Sequence, residues 1–471
     1  MRYISTRGEV TGLGFIDAML AGLARDGGLY TPQSWPRFAP AAIAAWSGRP
    51  YGDVAAEILQ EFLSGDLAAR DLARMTQEAA LPFRHPAVVP LVQLGPRTFV
   101  LELFHGPTLA FKDLAMQLLA RLMDHALKER GERATIVAAT SGDTGGAAIE
   151  AFRGRDQVDV VVLYPHGRIS EVQRRMMTTV RDDNVHAVGL TGTFDECQAL
   201  LKGLFADQTF RERVRLSAVN SINWARIAAQ TVYYAVAAVA LGAPDRAVAF
   251  AVPTGNFGDA FAGYGAMRMG LPVAQLAVAT NLNDILARTL ATGRYALREV
   301  VATASPSMDI QVASNFERLL FEAYDRDAAA VRALMGGLAH ARHFVIAPAA
   351  LAAIRRHFTA GRADEEETAA AMRTVRRETG YLLDPHSAVA FAVAEKLSPE
   401  PQTPIIVLAT AHPAKFPEAV ERATGIRPAL PDWLADLPHR PERVTVLGVD
   451  QRAVKEFIVG ASRAAREGAA A

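Results

Sequence analysis

Ala134-Thr-Ile-Val-Ala-Ala-Thr-Ser-Gly-Asp-Thr-Gly-Gly146 holds the logic of the fold in one stretch: an apolar run, a turn of hydroxyls and glycines, then a helical pattern from Ala147 to Arg153. The same order recurs downstream. Asp159-Val-Val-Val-Leu-Tyr164 precedes Pro-His-Gly and a helix-like segment from Ile169 to Val180. Val185-His-Ala-Val-Gly189 precedes Phe194 to Phe205, and Arg215-Leu-Ser-Ala-Val219 precedes Trp224 to Leu241. Strands that are apolar on both faces and alternate with helices need a parallel sheet covered on both sides. A second series, Ala247 to Val252, Val273 to Ala279 and Ile405 to Ala409, repeats the pattern. The chain therefore reads as two parallel-sheet α/β lobes that meet near residue 240.

The flanks differ. Phe15 to Ala24, Pro40 to Trp46 and Tyr51 to Phe62 read as helices joined by Gly and Pro, giving a mainly helical N-terminal part. From Arg440 a tail carries one strand-like run, Val444 to Val449, and a polar helix. Asp364-Glu-Glu-Glu367 reads as a solvated helix start. Fifty Lys and Arg balance fifty Asp and Glu over 471 residues, so overall charge offers no pull toward nucleic acid or a membrane surface. Cys197 is the only cysteine, which excludes an intrachain disulfide and a zinc site built mainly on thiolates and suits a reducing cytosol. Met1 to Glu9 has no apolar core behind its charges and does not read as a secretory signal. The longest apolar stretch, Val232 to Leu241, is too short to span a bilayer and contains Tyr233 and Tyr234. The histidines form no His-Glu-x-x-His pair, so no catalytic metal is expected.

Three glycine-bearing turns carry chemistry. In Val252-Pro-Thr-Gly-Asn-Phe-Gly-Asp259 a strand enters and a helical pattern leaves. Backbone N–H groups and the helix N-terminus converge there, which suits a phosphate, although the turn is neither a Walker loop nor Gly-x-Gly-x-x-Gly. Thr140 to Gly146 offers hydroxyls and N–H groups to a carboxylate or other anion, with Asp143 acting as a helix N-cap or facing a hydroxyl or cation. The third is His105-Gly-Pro-Thr-Leu-Ala-Phe-Lys-Asp113. The chain has six lysines. Lys128, Lys202, Lys396 and Lys455 sit on solvated or amphipathic helical patterns, whereas Lys112 follows Leu109-Ala-Phe111 and precedes the apolar helix Leu114 to Met123. Burial disfavours an ammonium, and a neutral amine forms a Schiff base with an aldehyde. A lysine among apolar groups, a phosphate cradle and an anion loop are the parts that pyridoxal phosphate needs.

His105 to Asp113 resembles the cofactor-lysine motif of the threonine synthases, fold-type II (tryptophan synthase β-like) pyridoxal-phosphate enzymes. The resemblance extends over nearly the whole chain: Leu20 to Pro32, Thr140 to Gly145, Asn220-Ser-Ile-Asn223, Pro253 to Asp259, Ala279-Thr-Asn281 and Thr410-Ala-His-Pro-Ala-Lys-Phe416. The long N-terminal part is similar to that of the bacterial and fungal subgroup. The implied division is a helical part at 1–85, a large cofactor-binding lobe from 86–127 and 225–440, a smaller lobe at 128–224 and a tail at 441–471.

Residue by residue, the resemblance implies that Lys112 carries the cofactor and shuttles protons. Gly255, Asn256, Phe257 and Gly258 present N–H groups to its phosphate, Thr410 meets the pyridine nitrogen, and Asp143 lies near the 3′-oxygen. An anionic Asp143 beside a phenolate would be repulsive unless a proton is shared. Ser141 and Thr144 would hold the substrate carboxylate, and Asn220, Ser221 and Arg226 the substrate phosphate. Lys415 reads as a charge near that phosphate or as a surface salt bridge. His105 contacts substrate or caps its loop, His386 lines the cleft or forms a structural turn, and His412 reads as structural. The implied reaction converts O-phospho-L-homoserine and water to L-threonine and phosphate, in a cytoplasmic monomer or weak homodimer. A hydroxyamino-acid ammonia-lyase would keep the cofactor but has no need of the Asn220, Ser221 and Arg226 group. A non-catalytic binder of phosphorylated ligands would have no need of Lys112.

Overall fold

The computed structural model describes residues 1–397, 400 and 402–470. Two sheets dominate it. The larger has six strands in the order Phe358–Arg362, Val273–Thr280, Val248–Pro253, Ile405–Ala409, Thr98–Glu102 and Leu91–Gln93. All neighbours are parallel except the last pair, in which Leu91 faces Leu101 across an antiparallel ladder. The smaller has five parallel strands in the order Thr445–Leu447, Val185–Leu190, Val158–Pro165, Ala134–Ala139 and Leu216–Ser217. The central strands Val158–Pro165 and Val248–Pro253 are buried along their whole length, as strands covered on both faces must be.

The structure differs from the sequence reading in three places. The strand expected from Arg215 to Val219 shrinks to Leu216–Ser217. Arg215 is left-handed at φ 45°, closing the helix Gln208–Val214, and Asn220 onward turns to cap the next helix, where the Asn223 side chain accepts the Ala225 N–H at 3.1 Å. The residues from 441 are not a separate tail, because Thr445–Leu447 pairs with Val185–Leu190 and completes the smaller sheet. The N-terminal part includes a three-stranded antiparallel sheet of Tyr3–Ser5, Thr11–Leu13 and Tyr30–Pro32, besides its helices, and a further helix at Ala69–Ala80.

That part is built into the body of the molecule. Trp224, fully buried, meets Tyr3, Trp35 and Phe62 at ring-centroid distances of 5.9, 5.9 and 5.8 Å. Each such side chain contributes about 2–3 kcal/mol by leaving water. The cluster fixes the start of the helix Trp224–Ala240, which matters because Arg226 lies two residues further on. No helix of the described residues is long and apolar enough to cross a membrane.

Candidate active site

Parallel strands leave a crevice beyond their carboxyl ends, where loops gather. Here the crevice is a cavity of about 300 Å³ lined from both lobes. Thr140, Ser141 and Thr144 follow the strand Ala134–Ala139. Gly255, Asn256, Gly258 and Asp259 follow Val248–Pro253, and Thr410 follows Ile405–Ala409. Lys112, Asn220, Ser221 and Arg226 complete the wall. Ten of the twelve residues expected at the site thus share one cavity. Phe257 turns its ring into the core, fully buried, and Asp143 sits beside Lys112 without appearing in the lining. Larger hollows exist elsewhere. An arginine-bearing groove of about 1180 Å³ adjoins the cavity through Leu201, Lys202, Asn220 and Ile222. Another of about 730 Å³ takes His105 and His412, so His105 belongs to a different hollow, bonded to Glu102 at 2.7 Å.

Lys112 is the first residue of the helix Lys112–Arg130, and the loop before it is tied on two sides. Phe111 N–H donates to the Thr410 carbonyl at 2.8 Å and His412 N–H to that of Leu109 at 3.0 Å. Buried Asp113 accepts the Thr108 N–H at 2.8 Å and its hydroxyl at 2.6 Å. Lys112 Nζ lies 3.4 Å from Asp143 Oδ2, with 12% of its side chain exposed. Burial lowers the Lys112 ammonium below the ordinary lysine range; Asp143 opposes that shift, while Lys415 and Arg226 reinforce it.

Asp143 does not cap its helix, whose N-cap is Gly142. It faces cations instead. Lys415 Nζ lies 2.9 Å from Oδ1, and Lys415 also donates to the Thr108 carbonyl at 2.6 Å. With 1% of its side chain exposed, Lys415 is neither a surface salt bridge nor part of the cavity lining. Gln173 Nε2 donates to Oδ1 at 2.8 Å and Ser307 Oγ to Oδ2 at 3.2 Å. Burial would raise the Asp143 carboxyl, but Lys415 and Lys112 together hold it well below the usual carboxylate range. The repulsion expected of a lone carboxylate at this place is thereby offset by the Lys415 ammonium, which stays paired with Asp143 whatever Lys112 carries.

The chain's own groups leave two places for anions. Among the described residues, the N–H groups of Gly255, Asn256, Phe257 and Gly258 donate to no protein acceptor. Phe257 is left-handed at φ 62°, which curls them ahead of the helix Gly258–Arg268. Gly255 has no room for a side chain, since a Cβ there would stand 2.6 Å from the Ser307 carbonyl oxygen. Arg226 is the second place. It is buried and its Nη1 donates to the Val219 carbonyl at 3.2 Å, while its Nε has no partner among the described residues. Burial lowers its pKa to about 10, with Tyr233 and Asp259 opposing. Buried donors without acceptors call for an explanation, and Arg226, unlike Arg121 and Arg155 whose Nε atoms also lack one, lines the cavity. A small molecule with a phosphate at one end and an aldehyde near Lys112 fits the first place, so the residues present suit pyridoxal phosphate.

Sequence reasoning passed over Asp259, Gln173 and Ser307; His386, read there as a cleft residue or a structural turn, lines the cavity. Only Asp259 carried a signal, as the end of a quoted motif. Burial pushes the Asp259 carboxyl up to about 7, partly offset by the Ala260 N–H at 2.8 Å. Between about pH 4 and 7 the folded chain then keeps a proton that the unfolded chain releases, so this group makes stability fall as pH rises through that window. Asp259→Asn is expected to flatten that part of the curve and to gain up to about 4 kcal/mol over the parent at pH 8. Urea unfolding of both at pH 5 and 8 measures it; parallel pH slopes would contradict the assignment.

Comparison with known proteins agrees with this geometry. The family model described as pyridoxal-phosphate dependent enzyme matches residues 86–411, which places the chain among enzymes that use this cofactor. Models described as threonine synthase N terminus and threonine synthase, C-terminal match residues 2–80 and 387–458. A threonine synthase of Pseudomonas aeruginosa is 51% identical over 459 residues, covering 97% of this chain and 98% of its own length. The crystal structure of a pyridoxal-phosphate-bound threonine synthase from Brucella melitensis superposes with a TM-score of 0.96 at 59% identity, covering 98% of this chain and all of that one. The yeast threonine synthase structure gives 0.93 at 38% identity, covering 98% of each chain. The chain belongs to the threonine synthase family.

Proposed function

We propose that this chain converts O-phospho-L-homoserine and water to L-threonine and inorganic phosphate, with Lys112 as the lysine that carries the cofactor. The single observation behind the choice of substrate is Arg226, a buried guanidinium with an unpartnered Nε in the cavity that also holds Lys112. An ammonia-lyase acting on a hydroxyamino acid has no phosphate to place there. The four N–H groups at Gly255 to Gly258 then serve the cofactor phosphate, and Arg226, with Asn220 and Ser221, serves the substrate phosphate by charge-assisted hydrogen bonds.

The bound cofactor supplies a conjugated ring that takes up the negative charge left when substrate Cα loses its proton. Everything else falls to the chain. Lys112, its ammonium destabilised by burial, is the group that accepts the Cα proton and serves the later proton transfers. The Thr140 oxygen accepts the Gly142 and Gly145 N–H groups at 2.9 and 3.0 Å and shapes the loop, and Ser141 and Thr144 in the cavity lining offer hydroxyls to the substrate carboxylate. Thr410, in the cavity lining, would offer a hydroxyl to the pyridine nitrogen and, unlike an Asp there, would leave that nitrogen largely unprotonated. Asp143, clamped by Lys415, keeps a negative charge beside Lys112, where it would face the cofactor's 3′-oxygen side. A cytoplasmic location, which the lone cysteine suits, and a monomer or weak homodimer, which rests on the family resemblance alone, accompany this reading.

The test is an assay of the holoenzyme with O-phospho-L-homoserine. Phosphate and threonine are expected to appear in equal amounts. Release of ammonia from threonine or serine at a higher kcat/KM, with no phosphate from the phosphorylated substrate, would move the assignment to a lyase.

A further inference from the structure

Ser307 touches Asp143, Gly255 and His386 at once, and His386, which also lines the cavity, has been given no part in the reaction so far. Ser307 lies in the short turn Pro306–Met308. Its hydroxyl donates to Asp143 Oδ2 at 3.2 Å, the same oxygen that faces Lys112. Its carbonyl oxygen is packed against Gly255, where any Cβ would approach to 2.6 Å. Its N–H donates to His386 Nε2 at 3.2 Å.

His386 is itself fixed. Its Nδ1 lies 2.8 Å from Asp384 Oδ2, and both residues are buried. Asp384 caps the helix Pro385–Ala394, accepting the N–H groups of His386 and Ser387 at 2.9 and 3.1 Å as well as the Ser387 hydroxyl. A carboxylate so supplied with donors fixes the ring tautomer. Nδ1 carries the proton and Nε2 keeps a lone pair for the Ser307 N–H. The ring also packs on Phe416 at 4.7 Å. The other side of the turn is anchored by Asp309 Oδ1, which accepts from Asn281 and Asn283 at 2.8 and 2.9 Å.

We infer that His386 is a positioning residue. Through the Ser307 N–H it sets the Pro306–Met308 turn, and so sets both the counter-ion of Lys112 and the shape of the turn at Gly255. The inference rests on the reading of Lys112 as the cofactor lysine. It adds that the two ends of the cofactor site are held in register by one backbone hydrogen bond to a buried imidazole. Losing that bond loosens both ends together, whereas losing the Ser307 hydroxyl loosens only the Asp143 end.

Holoenzymes of the parent, His386→Leu, His386→Gln and Ser307→Ala decide the matter. The readouts are retention of the lysine-linked visible absorption on dilution, kcat and KM. His386→Leu removes the acceptor and is expected to weaken cofactor retention about tenfold and lower kcat about tenfold, with KM within about threefold of the parent. His386→Gln returns an acceptor toward Ser307 and should restore both to within about threefold. Ser307→Ala should lower kcat about threefold or more while leaving retention near that of the parent. A folded His386→Leu enzyme that keeps its cofactor and kcat overturns the inference. So does a Gln variant as impaired as the Leu variant, because the ring would then act by packing alone. If the Leu variant does not fold, the other two decide: an impaired Gln variant or an unimpaired Ser307→Ala enzyme counts against the inference. A parent enzyme without a lysine-linked band overturns the reading of Lys112 itself, which separates that failure from this one.

Discussion

Lys112→Ala is expected to lower kcat/KM for O-phospho-L-homoserine by about ten-thousand-fold or more, with the fold intact. Proton transfer by one positioned amine contributes about 10²- to 10⁴-fold, and the covalent hold on the cofactor is lost with it. The fold should survive because Asp143 keeps its other partners: Lys415 at 2.9 Å, Gln173 at 2.8 Å and Ser307 at 3.2 Å. Removing a sole partner from a buried charge costs about 3–5 kcal/mol, and that penalty does not arise here. Lys112→Arg sharpens the test. It returns a cation beside Asp143 but no nucleophilic amine, so its activity should be lost to a similar extent. An Arg variant within about tenfold of the parent would mean that Lys112 acts only as a counter-ion. Steady-state phosphate release and a thermal melt measure both halves of the expectation.

Arg226→Leu is expected to move activity and stability in opposite directions. Two charge-assisted hydrogen bonds to a phosphate, at about 1.5–3 kcal/mol each, correspond to a loss of about 10²- to 10⁴-fold in kcat/KM. The apoprotein should gain about 1–3 kcal/mol, because a buried guanidinium with an unpartnered Nε is replaced by a side chain that costs nothing to desolvate. A binding site kept ready for an anion is unfavourable while it waits. If Arg226→Leu instead lost stability and kept activity, the residue would be a strut to the Val219 carbonyl, and the phosphate position would lie elsewhere. Chemical denaturation of the apoprotein, set beside kinetics of the holoenzyme, separates the two.

What could be seen beforehand follows from the range of the interactions. Ala134–Ala139 and Ile405–Ala409 occupy the residues that their apolar runs mark out, because a strand buried on both faces needs an unbroken run of such side chains. Lys112 stood out because Lys128, Lys202, Lys396 and Lys455 lay on polar or amphipathic patterns and it lay between apolar runs. Lys415 did not stand out. Its neighbours Pro413, Ala414 and Phe416 say nothing about Asp143, 272 positions earlier in the chain. His386 and Ser307 were hidden for the same reason, since a hydrogen bond between a turn and a helix start 79 residues away leaves no periodic trace. The strand at Thr445–Leu447 was visible as a run, but its place beside Val185–Leu190 was not, because pairing depends on which sheet edge is left open once the rest has folded. The antiparallel sheet at the N-terminus escaped notice because its three-residue strands are too short for alternation to register.

The central claim is that the amine at position 112 carries the cofactor, and borohydride reduction of the holoenzyme followed by peptide mapping tests it most directly. The account expects the visible band to vanish on reduction and a phosphopyridoxyl group to appear on the peptide containing Lys112. A label on Lys415, the other ammonium beside Asp143, or on any lysine outside the cavity, would contradict it.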